Sequence, residues 1–247
     1  MLVTTPAIVL HAFAYGETSK IVRLATRDHG VQSGMAKGAN RPKNRFGASL
    51  QVLSEGVAHL YLKPQRDLHT LSAFDVTHQR PAIAGDLGCY AAATALAELV
   101  LRFAPAEPHP GLFDLLAGGL DRLAEAGREE VGVVALAALW QTTAALGFAP
   151  SVEACARCAS PLEGAAGFSH ADGGCLCRRC APGTTTADLG DADVEALRAF
   201  VLGDRGLPLH LPPKHLAAHR RLFARFVRRH VAEERDLPAL AFWEALP

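Results

Sequence analysis

Apolar residues in the first 80 positions fall in short runs, and beyond Pro81 they recur three or four apart. Runs rich in Val, Leu, Thr and aromatics at Pro6 to Tyr15, Ser19 to Arg27, Val31 to Lys37, Ser49 to Lys63 and Leu68 to His78 predict five strands. Turn chemistry separates them: Tyr15-Gly16-Glu17, Asp28-His29-Gly30, Gly38 to Gly47, and Pro64 to Asp67. Five strands in so short a stretch suit a small closed barrel, of either the OB-fold or the SH3-like kind, and periodicity does not choose between them.

The later pattern predicts helices at Ala84 to Phe103, Leu112 to Glu125, Glu129 to Gly147, Asp188 to Leu202 and Pro213 to Glu234. A cysteine-bearing segment interrupts them. The organisation expected is therefore multi-domain, α and β: a barrel at 1–80, a discontinuous α-helical domain at 81–150 and 184–247, and an inserted module at 151–183. The uncharged stretch Val131 to Pro150 approaches the length of a membrane span, but Gln141, Thr142 and Thr143 at its centre favour a buried helix. Leu2 to Ala14 is apolar, yet no Lys or Arg precedes Lys20, so it lacks the cationic start of an export signal and reads as a first strand in a cytoplasmic protein.

Charge changes the picture once it is divided. The whole chain has 25 Lys and Arg against 25 Asp and Glu, which excludes a wholesale polycation or an acidic disordered tail. Residues 1–80 carry ten cations against five acids, and 81–150 carry three against eight. The neutral total hides a +5 segment followed by a −5 segment.

Cys155-x2-Cys158 and Cys177-x2-Cys180 are separated by 18 residues. Two residues between thiolates let one tight turn present both sulfurs to one centre, and two such turns close a four-sulfur shell around one structural zinc per chain. Gly173 and Gly174 suit a sharp turn before the second pair. Cys175, two residues before Cys177, could replace it as ligand, and only one of the two is expected to bind. Disulfides or redox pairs are disfavoured in a reducing cytosol, and the segment has too few large apolar residues, Val152, Leu162 and Phe168 among them, to fold without metal. With no H-x-E and no H-E-x-x-H, and with no open coordination position, a catalytic zinc is not expected. Arg157, Arg178 and Arg179 would offset the tetrathiolate charge. Cys89, among alanines, reads as a packing thiol.

Two further clusters carry one sign of charge. The loop Lys37 to Gly47 holds Lys37, Arg41, Lys43 and Arg45 with no acid, and Phe46 as a candidate for base stacking. From Arg205 to Val231 there are seven Lys and Arg and no Asp or Glu. On a helix, Leu222, Phe223, Phe226 and Val227 form a packing stripe, while Arg221, Arg225, Arg228 and Arg229 present charge to an anionic partner. His215, His219 and His230 read equally as surface neighbours or as ligands. No nucleophile elbow, dinucleotide fingerprint or P-loop occurs, so a binding protein rather than an enzyme is expected.

In order along the chain, Tyr15-Gly16-Glu17-Thr18-Ser19-Lys20-Ile21-Val22, His29-Gly30, Ala36-Lys37-Gly38-Ala39, Arg45-Phe46-Gly47-Ala48 with Leu50-Gln51, Gly173-Gly174 and Cys177-x2-Cys180 resemble the RecO recombination mediators of bacterial DNA repair. The resemblance implies an N-terminal OB-fold and a helical domain with an inserted four-cysteine zinc finger, whose family ligand positions are Cys155, Cys158, Cys177 and Cys180. It also implies a nucleoid-associated cytoplasmic protein that binds single- and double-stranded DNA and anneals complementary strands. With RecR, such proteins help load RecA onto strands covered by single-stranded DNA-binding protein. The chain departs from the pattern by its extra Cys175 and by sparse aromatics in the barrel, where Phe13, Tyr15, Phe46, Tyr61 and Phe74 are the candidates. The alternative function is a zinc-stabilised adaptor that takes acidic peptide tails.

Overall fold

The computed structural model describes residues 1–203, 206–208, 210–233 and 235–246. The chain divides into two compact units, Met1–Ala124 and Glu125–Pro247.

In the first unit, strands β1 (Leu2–Tyr15), β2 (Ser19–Thr26), β3 (Gly30–Ala36), β4 (Glu55–Tyr61) and β5 (Leu68–His78) close into a barrel in the order β1-β2-β3-β5-β4. All neighbours are antiparallel except β3 and β5, which pair in parallel from Ser33 opposite Leu68 to Met35 opposite Thr70. That closure makes the barrel OB-like and decides a choice that periodicity left open. Alternate inward residues fill it: Ala7, Val9, Val22, Leu24, Ala36, Ala58, Leu60, Leu71 and Phe74. Gly56 stands where β4 slips register against β5, and a side chain there would begin 2.3 Å from the Asp75 carbonyl oxygen.

The fourth strand begins later than the apolar run suggests. Leu53 has φ +72°, a left-handed kink that ends extended pairing, and its N–H donates to the Val9 carbonyl at 2.8 Å. Residues 49–53 therefore form turns, and Leu50 plugs the barrel from above.

Helices α1 (Pro81–Gly85), α2 (Leu87–Phe103) and α3 (Pro110–Glu125) follow, and the first unit includes them up to Ala124. Alanines at 91, 92, 93, 95 and 97 are buried along α2, which packs against β1 and β2. This covering layer explains why Ala7 to Leu10 is buried at every position rather than at alternate ones. Arg80, with its side chain 3% exposed, donates to Glu55 and to Asp121, both at 2.6 Å, and so ties α3 to β4. Asp86 caps α2 by accepting from the Cys89 N–H. Cys89 is a packing thiol as expected: it is buried, it lies 3.3 Å from the Leu123 carbonyl oxygen, and burial pushes its pKa up to about 11.

The second unit holds α4 (Val131–Ala145), strands β6 (Ala166–Ser169), β7 (Gly174–Leu176) and β8 (Ala187–Leu189), and helices α5 (Asp191–Leu202), α6 (Pro213–His230) and α7 (Pro238–Ala245). The sheet order is β7-β6-β8. Helix α4 is buried on nearly every side, with Trp140 at its centre against Phe223 and Phe226. Among the described residues no helix is long and apolar enough to cross a membrane. Three boundaries differ from the pattern. Asp188 lies in β8, so α5 starts at Asp191; α6 ends at His230; and α7 forms in a segment too short to show a helical period. Arg205 and Glu234, which the sequence pattern puts in the basic stretch and its helix, lie outside the described residues.

Candidate metal centre and nucleic-acid interface

The four cysteines Cys155, Cys158, Cys177 and Cys180 converge, with all their sulfurs within 4.8 Å of one another. Backbone turns arrange this. Ala159 N donates to the Cys155 carbonyl at 2.8 Å, with Ala159 itself at φ +57°, and Cys180 N and Ala181 N both donate to the Cys177 carbonyl at 2.9 Å. A tetrahedral thiolate shell with bonds of about 2.3 Å needs sulfurs about 3.8 Å apart. The Cys158 and Cys177 sulfurs are 3.7 Å apart, so the donor set fits a thiophilic divalent ion.

Cys175 is not part of the cluster. Its side chain is fully buried in β7, and its backbone bonds Ser151 and Ala156. β7 ends at Leu176, so Cys177 has left the strand and turns to the cluster while Cys175 stays in the core. Exchanging Cys175 for Ala is therefore expected to leave about one metal per chain, whereas Cys177→Ala loses it; elemental analysis of the purified variants is the check.

The glycines serve other purposes than a knuckle turn. Gly173, at φ +73°, closes the β6–β7 hairpin, and a side chain on Gly174 would begin 2.5 Å from the Ser151 carbonyl oxygen. Nor is Arg157 left to balance the thiolates alone, since it pairs with Asp172 at 2.9 Å. Arg178 and Arg179 remain exposed. Buried Arg198, which no sequence motif singles out, fixes the module to α5 by donating to the carbonyls of Val152 at 3.0 Å and Leu162 at 2.7 Å. On its other side, His170 Nε2 donates to the Leu222 carbonyl of α6, and His230 Nε2 donates to the His170 carbonyl. Burial and the cations Arg225 and Arg229 lower the pKa of His170. His215 and His219 are fastened to Asp193 rather than to a metal, at 2.8 and 3.2 Å.

In the barrel loop, Lys37, Arg41, Lys43 and Arg45 are all exposed, and among the described residues none pairs with a carboxylate. The loop is nevertheless pinned. Asn40 N donates to Thr18 O at 2.9 Å and Asn40 Nδ2 to Ser19 O at 3.0 Å, while the Asn44 side chain accepts from Phe46 N and Gly47 N. Phe46 is not a stacking platform. It is 4% exposed and belongs to the barrel core, with the Arg45 guanidinium 5.0 Å from its ring. Phe74 is buried as well.

Two exposed aromatics lie on the outer face of β1: Phe13 is 43% and Tyr15 51% exposed, with His11 beside Phe13. Cross-strand register sets Arg23 against His11 and Ile21 against Phe13. Because Asn40 anchors the basic loop to the turn after Tyr15, cations and aromatics share one end of the barrel. Tyr61 is exposed next to Leu2 on the β1–β4 side.

Helix α6 presents Arg221, Arg225 and Arg229 to solvent, none of them paired among the described residues. Arg228 is different: it holds Glu244 of α7. Leu222, Phe223, Phe226 and Val227 are buried, as the stripe predicts.

Family models for the N-terminal and C-terminal parts of recombination protein O match residues 1–80 and 84–237. The chain belongs to the RecO family. A DNA repair protein RecO of Anaeromyxobacter sp. (strain K) is 35% identical over 248 residues, covering 97% of this chain and 94% of the relative. RecO of Anaeromyxobacter dehalogenans (strain 2CP-1) matches to the same extent, and that of strain 2CP-C is 37% identical over 71% of this chain. Membership places the chain in DNA repair and recombination. Within the RecO frame, the basic loop follows β3 of the N-terminal match, and the cysteine cluster and α6 lie in the C-terminal match.

Proposed function

We propose that this RecO-family chain is a recombination mediator that binds single- and double-stranded DNA on two separate basic surfaces, one in each unit, and anneals complementary strands. Acting with RecR, it would assist RecA loading onto strands covered by single-stranded DNA-binding protein; family membership is the support for these partners. The observation that carries the DNA-binding reading is the pinned, unpaired loop Lys37 to Arg45 beside the exposed Phe13 and Tyr15. Cations there neutralise phosphates with little sequence preference, and the rings offer faces to bases. One surface per unit lets two strands be held with their repulsion screened, which is the physical requirement for annealing. The metal in this reading is zinc, structural and one per chain, and no covalent step is assigned to any residue.

The test is binding and annealing of labelled complementary oligonucleotides across salt. Replacing Arg221, Arg225 and Arg229 by Ala is expected to lower the salt slope by about 2, at about 0.7 per lost single-strand phosphate contact, and to slow annealing. Unchanged slopes for this variant would remove α6 from the proposal. The second reading, an adaptor for acidic tails, draws on Arg228, which already holds a carboxylate. A titration with an acidic peptide against that variant and against Arg228→Ala separates the two.

A further inference from the structure

Helix α7 has eight residues, too few to stay helical alone in water, so its helicity depends on docking against α6. Leu240 and Trp243 are buried. The indole meets Phe223 edge-on at 5.9 Å, and the Arg220 guanidinium lies 5.6 Å from its ring centroid. Arg220, itself buried, donates to the Leu246 carbonyl. These contacts form an anchor closed to water. The last contact is of another kind: Arg228 donates to the Glu244 carboxylate, and the two side chains are 35% and 21% exposed.

At 100° per residue, Arg221, Arg225, Arg228 and Arg229 fall within about 100° of arc on α6. Arg228 therefore stands in the same row as Arg221, Arg225 and Arg229, and among the described residues it is the one of the four that meets an internal carboxylate. A carboxylate and a phosphate offer a guanidinium the same paired oxygen acceptors.

We propose that Glu244 is an internal competitor for nucleic-acid phosphate at Arg228, so that α7 sets how many cations the α6 face presents. With Glu244 in place the row offers three. A strand lying along Arg221, Arg225 and Arg229 brings a phosphate beside Arg228, where it competes with a carboxylate that is still wetted by solvent. Trp243 and Arg220 meanwhile keep α7 docked, so the exchange requires one side chain to turn rather than a helix to leave. The inference rests on reading α6 as a nucleic-acid face.

The experiment measures oligothymidylate binding by the full chain across salt for Glu244→Gln, Arg228→Ala, the double variant of these two, Arg225→Ala, and the variant with Ala at Arg221, Arg225 and Arg229. Glu244→Gln keeps the side-chain shape and is expected to bind about fivefold tighter at 0.1 M salt, with a slope steeper by about 0.7. Arg228→Ala alone is expected to bind like wild type, and the double variant to lose the gain. If Glu244→Gln changes neither affinity nor slope while the three-arginine variant binds weakly, α6 holds DNA and the competition is wrong. Arg228→Ala weakening binding as much as Arg225→Ala would overturn it independently. A three-arginine variant indistinguishable from wild type would remove both the α6 reading and this inference.

Discussion

Replacing Lys37, Arg41, Lys43 and Arg45 together by alanine is expected to weaken single-strand binding by about two to three orders of magnitude at 0.1 M salt, and to flatten the salt slope by about 3. The size follows from counterion release at four phosphates, each side chain being exposed and without an ion pair to lose among the described residues. The fold should be indifferent. What holds the loop is Asn40 on the β1–β2 turn, Asn44 on its own backbone, and Phe46 and Leu50 in the barrel, none of which changes. The melting temperature is thus the control and the salt titration the readout. A variant that melts normally and keeps its slope would show that strands are held elsewhere, and the α6 row would then have to account for all binding.

Stripping the proposed zinc is expected to cost the second unit its cooperative folding. A structural zinc contributes about 10–16 kcal/mol of binding free energy that is available only to the folded form. The module has little else to hold it: three short strands and a handful of buried apolar residues such as Val152, Phe168 and Leu176. Its loss spreads, because Phe168 packs edge-on to Phe226 at 6.3 Å, His170 reaches the Leu222 carbonyl, and Arg198 would lose two of the acceptors of its buried guanidinium and keep only Glu195 among those described. Addition of a strong chelator should lower the unfolding midpoint of this unit by more than about 10 °C, and one equivalent of zinc should restore it. A chelated protein with unaltered melting and unaltered near-ultraviolet dichroism would contradict a structural role. The barrel unit, which holds no cysteine of the cluster, should melt as before.

These two expectations differ in how far they are legible without a structure. The four-cysteine cluster follows from local spacing, since two residues between thiolates dictate the turn wherever the chain goes. The basic loop is equally visible as a run of one sign. What spacing cannot supply is the role of neighbours. Phe46 sits among four cations and looks like a stacking residue, but its ring is buried in the barrel core. Arg228 reads as one more cation until α7 brings Glu244 against it. Ser49 to Leu53 is as apolar as a strand, so the pattern starts strand four several residues early, and only the left-handed backbone at Leu53 breaks the pairing. Phe13 and Tyr15 are aromatic candidates on sequence alone, but whether each faces the core or the solvent depends on which side of β1 the bulge after Val9 turns them.

By itself, then, the order of residues determined the features that are local or periodic: five strands, the main helices, the four-cysteine cluster and the two one-sign clusters, together with a family resemblance that matches over nearly the whole chain bear out. The tertiary structure decided everything that depends on residues far apart in the chain meeting. It chose an OB-like closure through the parallel β3–β5 pair, sent Cys175 into the core and Cys177 to the cluster, and consumed Arg157, Arg198 and Arg228 while leaving other arginines bare. The physical reason is that a charge or a ring acquires its function from its environment. Burial, a carbonyl or an opposing carboxylate settles whether an arginine is a structural tie or a free cation, and no window of sequence contains that partner.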